Sequence, residues 1–266
     1  MKVASGERGT EVTHRISLNG PGREEYEQGV SVEMSPLFDF SKEPWMLLHV
    51  LMNQLVMAHL VMKYTGMEDY EVDCTVLDVG AGYGELYTLL RRARKAKGVS
   101  FTYIGVDVDK DKAIIARQLR PEIDYRVLDM RKLTELEDTP VDCVACIGVL
   151  EHVPEQDGIK LLQDMAEVLY EDGVMILEFA SPESRSHRDN PFHIHEWTNE
   201  EVVAVLEPCG MELLDKFYLS SPKKSWEIQD ERLDRIPVNL ARNVMSVMSN
   251  AMGNDGVVIC KKKVTK

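Results

Sequence analysis

Three groups of residues in this chain have the types and spacing to do chemistry. The first is the run Val76-Leu-Asp-Val-Gly-Ala-Gly-Tyr-Gly84, where an apolar stretch gives way to glycines at alternate positions. Glycine lets a backbone turn tightly and approach a ligand closely. A helix that starts right after such a turn points its positive N-terminus at whatever is bound. The second is Asp107, which ends the apolar segment Ile104-Gly-Val-Asp107. A carboxylate there can accept hydrogen bonds from both hydroxyls of a ribose. The alternative is a surface acid that caps a helix starting near Asp109. The third group is histidine-rich: His152 in Leu150-Glu-His-Val-Pro154, and His187, His193 and His195 between Ser184 and Trp197.

The glycine spacing discriminates between ligands. A dinucleotide fingerprint reads G-x-G-x-x-G, and from Gly80 its third glycine falls on Glu85. The chain has Gly84 instead, and a negative Glu85 at the helix start repels a pyrophosphate. The pattern therefore points to a nucleoside without phosphate. S-adenosylmethionine fits, because its sulfonium is cationic and suits an acidic pocket.

These residues must be held by elements that the sequence also declares. Apolar runs cover Thr75 to Val79, Phe101 to Val106, Val141 to Ile147 and Val174 to Phe179, with a weaker one from Tyr125 to Leu128. Near-continuous apolar runs of this length read as strands buried on both faces. Helical spacing fills Glu85 to Ala96, Lys110 to Leu119 and Gln156 to Tyr170. Such alternation gives an α/β fold with a parallel sheet and right-handed crossovers. Before it, a methionine-rich helix is expected from near Ser41 and Pro44 to about Tyr64. After it come a helix at Glu200 to Glu207, a strand at Met211 to Leu219 and a last strand at Gly256 to Lys262. Residues 1–38 show no sustained periodicity and read as a flexible arm. The folded domain would be 39–266, with 220–255 inserted between the last two strands. A helix over Leu240 to Met252 in that insertion carries Met245, Met248 and Met252 on one side. Core packing is the default reading of that stripe. The others are a wall of the acceptor cavity and a contact between two copies in a homodimer.

Composition bounds the function. The chain has 266 residues, a formal net charge of -14 and 44% hydrophobic residues, as expected of a folded chain with poor general affinity for polyanions. The charge therefore argues against nucleic acid as a partner. The longest apolar stretch, Trp45 to Met62, is interrupted by His49, Asn53, Gln54 and His59, so no membrane span is expected. Five cysteines at irregular spacing give no disulfide framework. Cys143 and Cys146 lie three apart in a strand, on opposite faces, where one metal ion could hardly be gripped by both. A reducing, cytoplasmic setting is the expectation.

Taken together, Val76 to Leu86, Asp107, Asp129-Met130 after the third strand and Ile147-Gly-Val-Leu-Glu-His-Val153 after the fourth resemble the class I S-adenosylmethionine-dependent methyltransferases. The resemblance covers about residues 70–220 and the last strand. It implies a doubly wound, mostly parallel seven-stranded sheet with helices on both faces, a Rossmann-like fold. It also implies roles. Asp78 would lie near the methionine amino group, with Gly80 and Gly82 against the methionine and ribose. Asp107, followed by Val108, would take the ribose hydroxyls. Asp129 would accept from the adenine amino group with Met130 flanking the ring, unless Asp129-Met130 is an ordinary turn. Ile147 and Gly148 would line the other side.

Strand four is not followed by the Asp-Pro-Pro-Tyr type of motif or the Pro-Cys pair of base-methylating enzymes; Asn190-Pro191-Phe192 and Pro208-Cys209 come later. Leu150 to Pro154 is instead similar to small-molecule methyltransferases, including the ubiquinone-biosynthesis O-methyltransferases. The expected acceptor is a small polar or carbohydrate-like molecule methylated on oxygen or nitrogen. The alternatives are a macromolecular acceptor and a cofactor-binding assembly protein without turnover. His152, His193 and His195 are the candidate catalytic groups, each able to serve as a proton-accepting base. The rival readings are a metal site and packing. In some of these similar enzymes an acid three residues before the Glu-His pair holds a divalent metal. That position is Gly148, and a two-histidine pair without a clear third ligand is a poor metal signature, so no metal is expected.

Overall fold

The computed structural model describes residues 44–67, 73–95, 101–182, 192–219 and 255–264. The proposed arm at 1–38, the insertion at 220–254 with its methionine stripe, and His187 lie outside the described residues. Seven strands form one sheet: β1 (Thr75–Val79), β2 (Thr102–Asp107), β3 (Asp124–Val127), β4 (Val141–Ile147), β5 (Leu169–Phe179), β6 (Met211–Tyr218) and β7 (Gly256–Lys262). Their spatial order is β3-β2-β1-β4-β5-β7-β6. Strands β1 to β5 pair in parallel, and β7 runs antiparallel to both β5 and β6. The chain reverses its direction of travel across the sheet between β1 and β4. That switch point leaves a crevice at the carboxyl ends of the strands, where ligands bind in such sheets.

Alternation along each strand makes two hydrophobic layers. Val76, Cys143, Ile176 and Val257 face one layer, with α1 (Pro44–Tyr64), α2 (Glu85–Lys95) and α3 (Lys110–Leu119) packed on it. Leu77, Val144, Cys146, Leu177 and Val258 face the other, under α4 (Glu155–Glu167) and α5 (Asn199–Leu206). Cys143 and Cys146 thus lie on opposite sides of β4, as their spacing requires. Burial pushes both thiols far above their ordinary pKa.

One boundary differs from the helical spacing read between Gln156 and Tyr170. Helix α4 stops at Glu167, and β5 begins at Leu169. The backbone there is claimed by the sheet, since Val141 N donates to Val168 O at 2.8 Å and Val141 pairs with Leu169. The register then shifts before Cys143 pairs with Val174. Asp172 takes φ 68° within that irregularity. Helix α5 is opened by a capping box, in which Thr198 Oγ1 accepts from Glu201 N and the Glu201 carboxylate accepts from Thr198 N.

Trp197 anchors the segment before α5. Its side chain is fully buried, its indole N–H donates to Leu150 O at 3.2 Å, and its backbone N–H donates to Ala180 O at 3.1 Å. Its ring fills the space beside Gly158, where an added Cβ would come within 2.5 Å of Cζ2. The strap of residues 192–197 is thereby pressed onto the end of β4.

Candidate functional site

The turn after β1 is held by its neighbours rather than by its own sequence alone. Gly80 N and Ala81 N both donate to Val106 O, at 2.8 and 3.0 Å. Gly80, Gly82 and Gly84 take φ of 79°, 55° and 83°. At Gly80 a Cβ would fall 2.3 Å from Val149 Cγ2, so glycine is required there by both conformation and space. Gly82 is different, because a Cβ on it would meet nothing nearer than Glu85 Oε2 at 3.5 Å. Its missing side chain leaves an open cradle.

Asp107 closes that cradle. Its Oδ2 accepts from Gly82 N at 3.1 Å and its Oδ1 from Asp109 N at 2.9 Å. A carboxylate oxygen has more than one acceptor direction, so each remains able to take a ribose hydroxyl. The capping alternative for this residue is filled by its neighbour: Asp109 Oδ1 accepts from Asp111 N and Lys112 N at the start of α3. Val108 is half exposed beside it.

Asp78 is buried, with its Oδ2 taking a short hydrogen bond from the Tyr103 hydroxyl. Burial pushes its carboxyl up to about 7, against the Tyr103 hydrogen bond, and the charges of Glu85 and Asp107 add to the rise. Asp129 serves as the N-cap of a short 3-10 turn over Met130–Glu135 and is also gripped by Arg131, whose Nη2 lies 2.6 Å from Oδ2. Those Arg131 bonds outweigh burial and hold its carboxyl below the usual range. An adenine amino group would have to share Asp129 with that guanidinium. Met130 and Ile147 are half-buried against opposite layers of the core.

Sequence reasoning passed over several residues that build the turn. The Tyr125 hydroxyl donates to Gly82 O at 2.5 Å, and Arg120 Nη1 donates to Tyr83 O at 2.7 Å. Tyr125 sits in the weakest strand pattern, and only its polar tip in an apolar run could have signalled it. A second acidic group was also passed over. Glu178, inside the apolar run of β5, is buried beside Asp255, and Asn53 from α1 donates to Glu178 Oε1 at 3.1 Å and to Asp255 Oδ2 at 3.5 Å. Burial and the charges of Asp255 and Glu151 push the Glu178 carboxyl well above its ordinary value. A charged residue within an apolar run was the available signal.

Gly148 follows β4 with φ 62°, and a Cβ there would meet only Glu151 Oε1 at 3.7 Å and Glu178 Oε2 at 3.9 Å. Of the three glycines that the resemblance assigns to the cofactor, Gly82 and Gly148 border open space flanked by carboxylates, whereas Gly80 is closed off by Val149. That fits a cationic nucleoside. A cleft of about 450 Å3 lined by Pro140, Leu169 and Lys262 lies at the opposite, amino end of the parallel strands and carries none of this chemistry.

The histidines separate into two groups. Ile194 N and His195 N both donate to Glu151 O, at 2.7 and 3.3 Å, and the strap bends at Ile194. That bend breaks the alternation of an extended segment. His193 is brought against His152, with ring centroids 5.4 Å apart. His195 lies edge-on to Trp197 instead, at 4.6 Å, with Nε2 buried and lacking a hydrogen-bond partner among the described residues. His152 Nδ1 lies 3.0 Å from Phe192 O, and a carbonyl can only accept, so Nδ1 carries the proton and Nε2 the lone pair. His193 Nδ1 lies 3.4 Å from Glu196 Oε1. Glu151, missing from the expectation of no metal, stands with this pair: one donor atom from each of Glu151, His152 and His193 lies within 4.8 Å of the others.

A switch-point crevice with an open glycine cradle, an acid bonded to that cradle and no pyrophosphate motif suits an α/β protein for a nucleoside cofactor. Comparison with known proteins makes the class specific. Residues 76–173 match the family described as "Methyltransferase domain". The ubiquinone biosynthesis O-methyltransferase of Alkalilimnicola ehrlichii is 31% identical over 189 residues, covering 67% of this chain and 71% of the relative. That of Pseudomonas paraeruginosa is 28% identical over 156 residues, and the match spans 57% of this chain and 61% of that relative's length, under two thirds of it. Among solved structures, magnesium protoporphyrin IX methyltransferase from Synechocystis with bound S-adenosylmethionine overlays with a TM-score of 0.53 at 15% identity, covering 80% of each chain. That likeness concerns the fold. The chain belongs to the class I S-adenosylmethionine-dependent methyltransferases, and S-adenosylmethionine is its cofactor.

Proposed function

We propose that this methyltransferase acts on an oxygen or nitrogen of a small polar or carbohydrate-like molecule. The carrying observation is the His152–His193 pair, with ring centroids 5.4 Å apart, in the loops that follow β4 and β5. Loops at these strand ends flank the ligand crevice of such sheets. When bound, S-adenosylmethionine supplies an electrophilic methyl group on a sulfonium. The protein's task is to align the acceptor with that methyl and to promote loss of the acceptor's proton. Asp107 and the Gly82 cradle would hold the nucleoside end, and Asp78 the methionine end. Asp129, Met130, Ile147 and Gly148 would line the base and the wall. The histidine pair promotes the proton loss.

Two further observations support a small acceptor. The net charge of -14 disfavours nucleic acid, and the relatives are O-methyltransferases of ubiquinone biosynthesis. The five cysteines are unpaired, which supports a cytoplasmic setting. No described helix is long and apolar enough to cross a membrane. The test is a screen with isotope-labelled methyl donor against small hydroxyl and amine compounds, RNA, DNA and protein extracts. Label should pass to small molecules. Label found only in macromolecules would reject the reading.

A further inference from the structure

The connection from α3 to β3 meets the cofactor turn at three points. Arg120, the C-cap of α3, donates from Nη1 to Tyr83 O at 2.7 Å. Ile123 lies against Gly84, where an added Cβ would come within 2.7 Å of its Cδ1. The Tyr125 hydroxyl donates to Gly82 O at 2.5 Å. We propose that Arg120 and Tyr125 are positioning residues for S-adenosylmethionine: by holding these two carbonyls they keep the Gly82 cradle in its ligand-accepting shape, and so set the affinity for the cofactor through the turn.

Three observations carry the assignment. The first is that Gly82 is held on both sides. Its N–H is bonded to Asp107 Oδ2 from β2, and its C=O to Tyr125 from β3. A glycine at φ 55° with open space at its Cβ position has no side chain to fix the adjoining peptides, so these two bonds do so. The second is that the sheet makes room for the reach. Tyr125 pairs with Gly105 on β2, and a Cβ on Gly105 would crowd Ala81 Cβ at 3.0 Å and Tyr125 Cδ2 at 3.4 Å. The bare backbone of Gly105 lets the ring lie across β2 towards the turn. Burial and the charges of Asp107, Asp78, Asp109 and Glu85 push the Tyr125 hydroxyl well above its ordinary pKa, so it stays a donor. The third is that Arg120 is itself fixed. Its backbone N–H donates to Ala116 O at 2.8 Å, its C=O accepts from Ile123 N at 3.1 Å, and its Nε donates to Thr88 Oγ1 on α2. The guanidinium thereby ties Tyr83 O to the helix that follows the turn.

Charge and positioning make opposite predictions for Arg120. A guanidinium near the turn repels a cationic sulfonium, so its removal would tighten S-adenosylmethionine if charge were its only influence. Positioning predicts weakening instead. A carbonyl that has lost its donor lets its peptide rotate, and the cradle must then be ordered again when the ligand binds. A site that is ordered beforehand avoids that cost, and losing the order lowers affinity. The two influences also differ in scope: charge acts on the sulfonium, whereas the shape of the turn matters to any ligand with the same nucleoside. None of this depends on which acceptor is methylated.

The test is calorimetric titration of the full chain and its variants with S-adenosylmethionine and with S-adenosylhomocysteine, whose sulfur is neutral. Tyr125→Phe and Arg120→Met should each raise the dissociation constant of both ligands by about 5- to 10-fold, the loss expected of one intramolecular hydrogen bond. Arg120→Lys keeps a cationic donor on a stem of similar length and should recover most of the loss. Gly210→Ala controls for a merely structural effect. Gly210 precedes β6, on the sheet edge opposite β3, and its φ of 77° strains an alanine. That variant should lose stability and keep the parent affinity for both ligands. Parent affinity in Tyr125→Phe and Arg120→Met, tighter S-adenosylmethionine binding by Arg120→Met, or an equal loss of affinity in Gly210→Ala would overturn the proposal.

Discussion

Asp107 Oδ2 accepts the backbone N–H of Gly82 at 3.1 Å, so the acid that ends β2 and the glycine turn that follows β1 act as one unit. The same carboxylate also accepts from Asp109 N. Asp107→Ala strands both donors, and each charge-assisted bond is worth roughly 1.5–3 kcal/mol. Partial exposure and hydration offset part of that. Chemical denaturation should show a loss of about 1–3 kcal/mol, with Asp107→Asn losing less. Unchanged stability in Asp107→Ala would mean that the turn does not depend on this contact.

Asp78 makes a prediction about pH. Its carboxyl sits at about 7 in the fold instead of 3.8, chiefly because burial opposes its charge. A raised acid stabilises the fold while protonated. That contribution is complete below the unfolded value and is lost as pH rises through about 7. The shift corresponds to on the order of 4 kcal/mol across the window. Unfolding free energy without cofactor should therefore fall between about pH 4 and about pH 7, and Asp78→Asn should flatten the slope. Glu178, raised for the same reason, contributes a remaining slope of the same sign. A cationic cofactor favours ionised Asp78, so its affinity should rise across the same range. Identical slopes in parent and Asp78→Asn would refute this.

Gly80 and Gly210 share a left-handed conformation, with φ of 79° and 77°, but not their surroundings. An alanine Cβ at Gly80 would collide with Val149 Cγ2, whereas at Gly210 it meets nothing within 4 Å. Gly210→Ala should cost about 1–2 kcal/mol, the conformational penalty alone. Gly80→Ala adds overpacking of about 1–3 kcal/mol and deforms the cofactor turn. Comparable denaturation midpoints for the two variants would show that Val149 gives way freely.

The histidines should differ in kinetics. His152→Ala and His193→Ala are expected to reduce turnover by about 100-fold or more, the usual contribution of an acid–base group, with cofactor affinity unchanged. His195 is turned onto Trp197, and His195→Ala should keep most of the turnover. A His195 variant as impaired as the other two would place the functional pair wrongly.

Much of the fold was legible in the chain because its signals are local. Continuous apolar runs marked β1, β2 and β4, and the glycine turn and Asp107 lie at their carboxyl ends in a pattern that depends on sequence spacing. The end of α4 was not legible: Leu169 and Tyr170 extend a helical period, and only pairing of Leu169 with Val141 across the sheet assigns them to β5. The histidine cluster was legible in part. His152 and His193 were visible as types, but their contact depends on two backbone N–H groups of the strap bonding to Glu151 O. That bond also explains why Glu151 was missed as their third companion, since no sequence spacing relates residues 151 and 193. Tyr125 was hidden for a similar reason, because its role is a hydroxyl reaching from β3 to the turn after β1.

The most direct measurement is calorimetric titration of the full chain with S-adenosylmethionine and, separately, with NAD. One S-adenosylmethionine should bind per chain, NAD should give no heat of binding, and Asp107→Ala should weaken the cofactor by about 100-fold, the order expected for losing two charge-assisted bonds to ribose. Saturable NAD binding, or an Asp107→Ala chain that holds S-adenosylmethionine as tightly as its parent, would contradict the account.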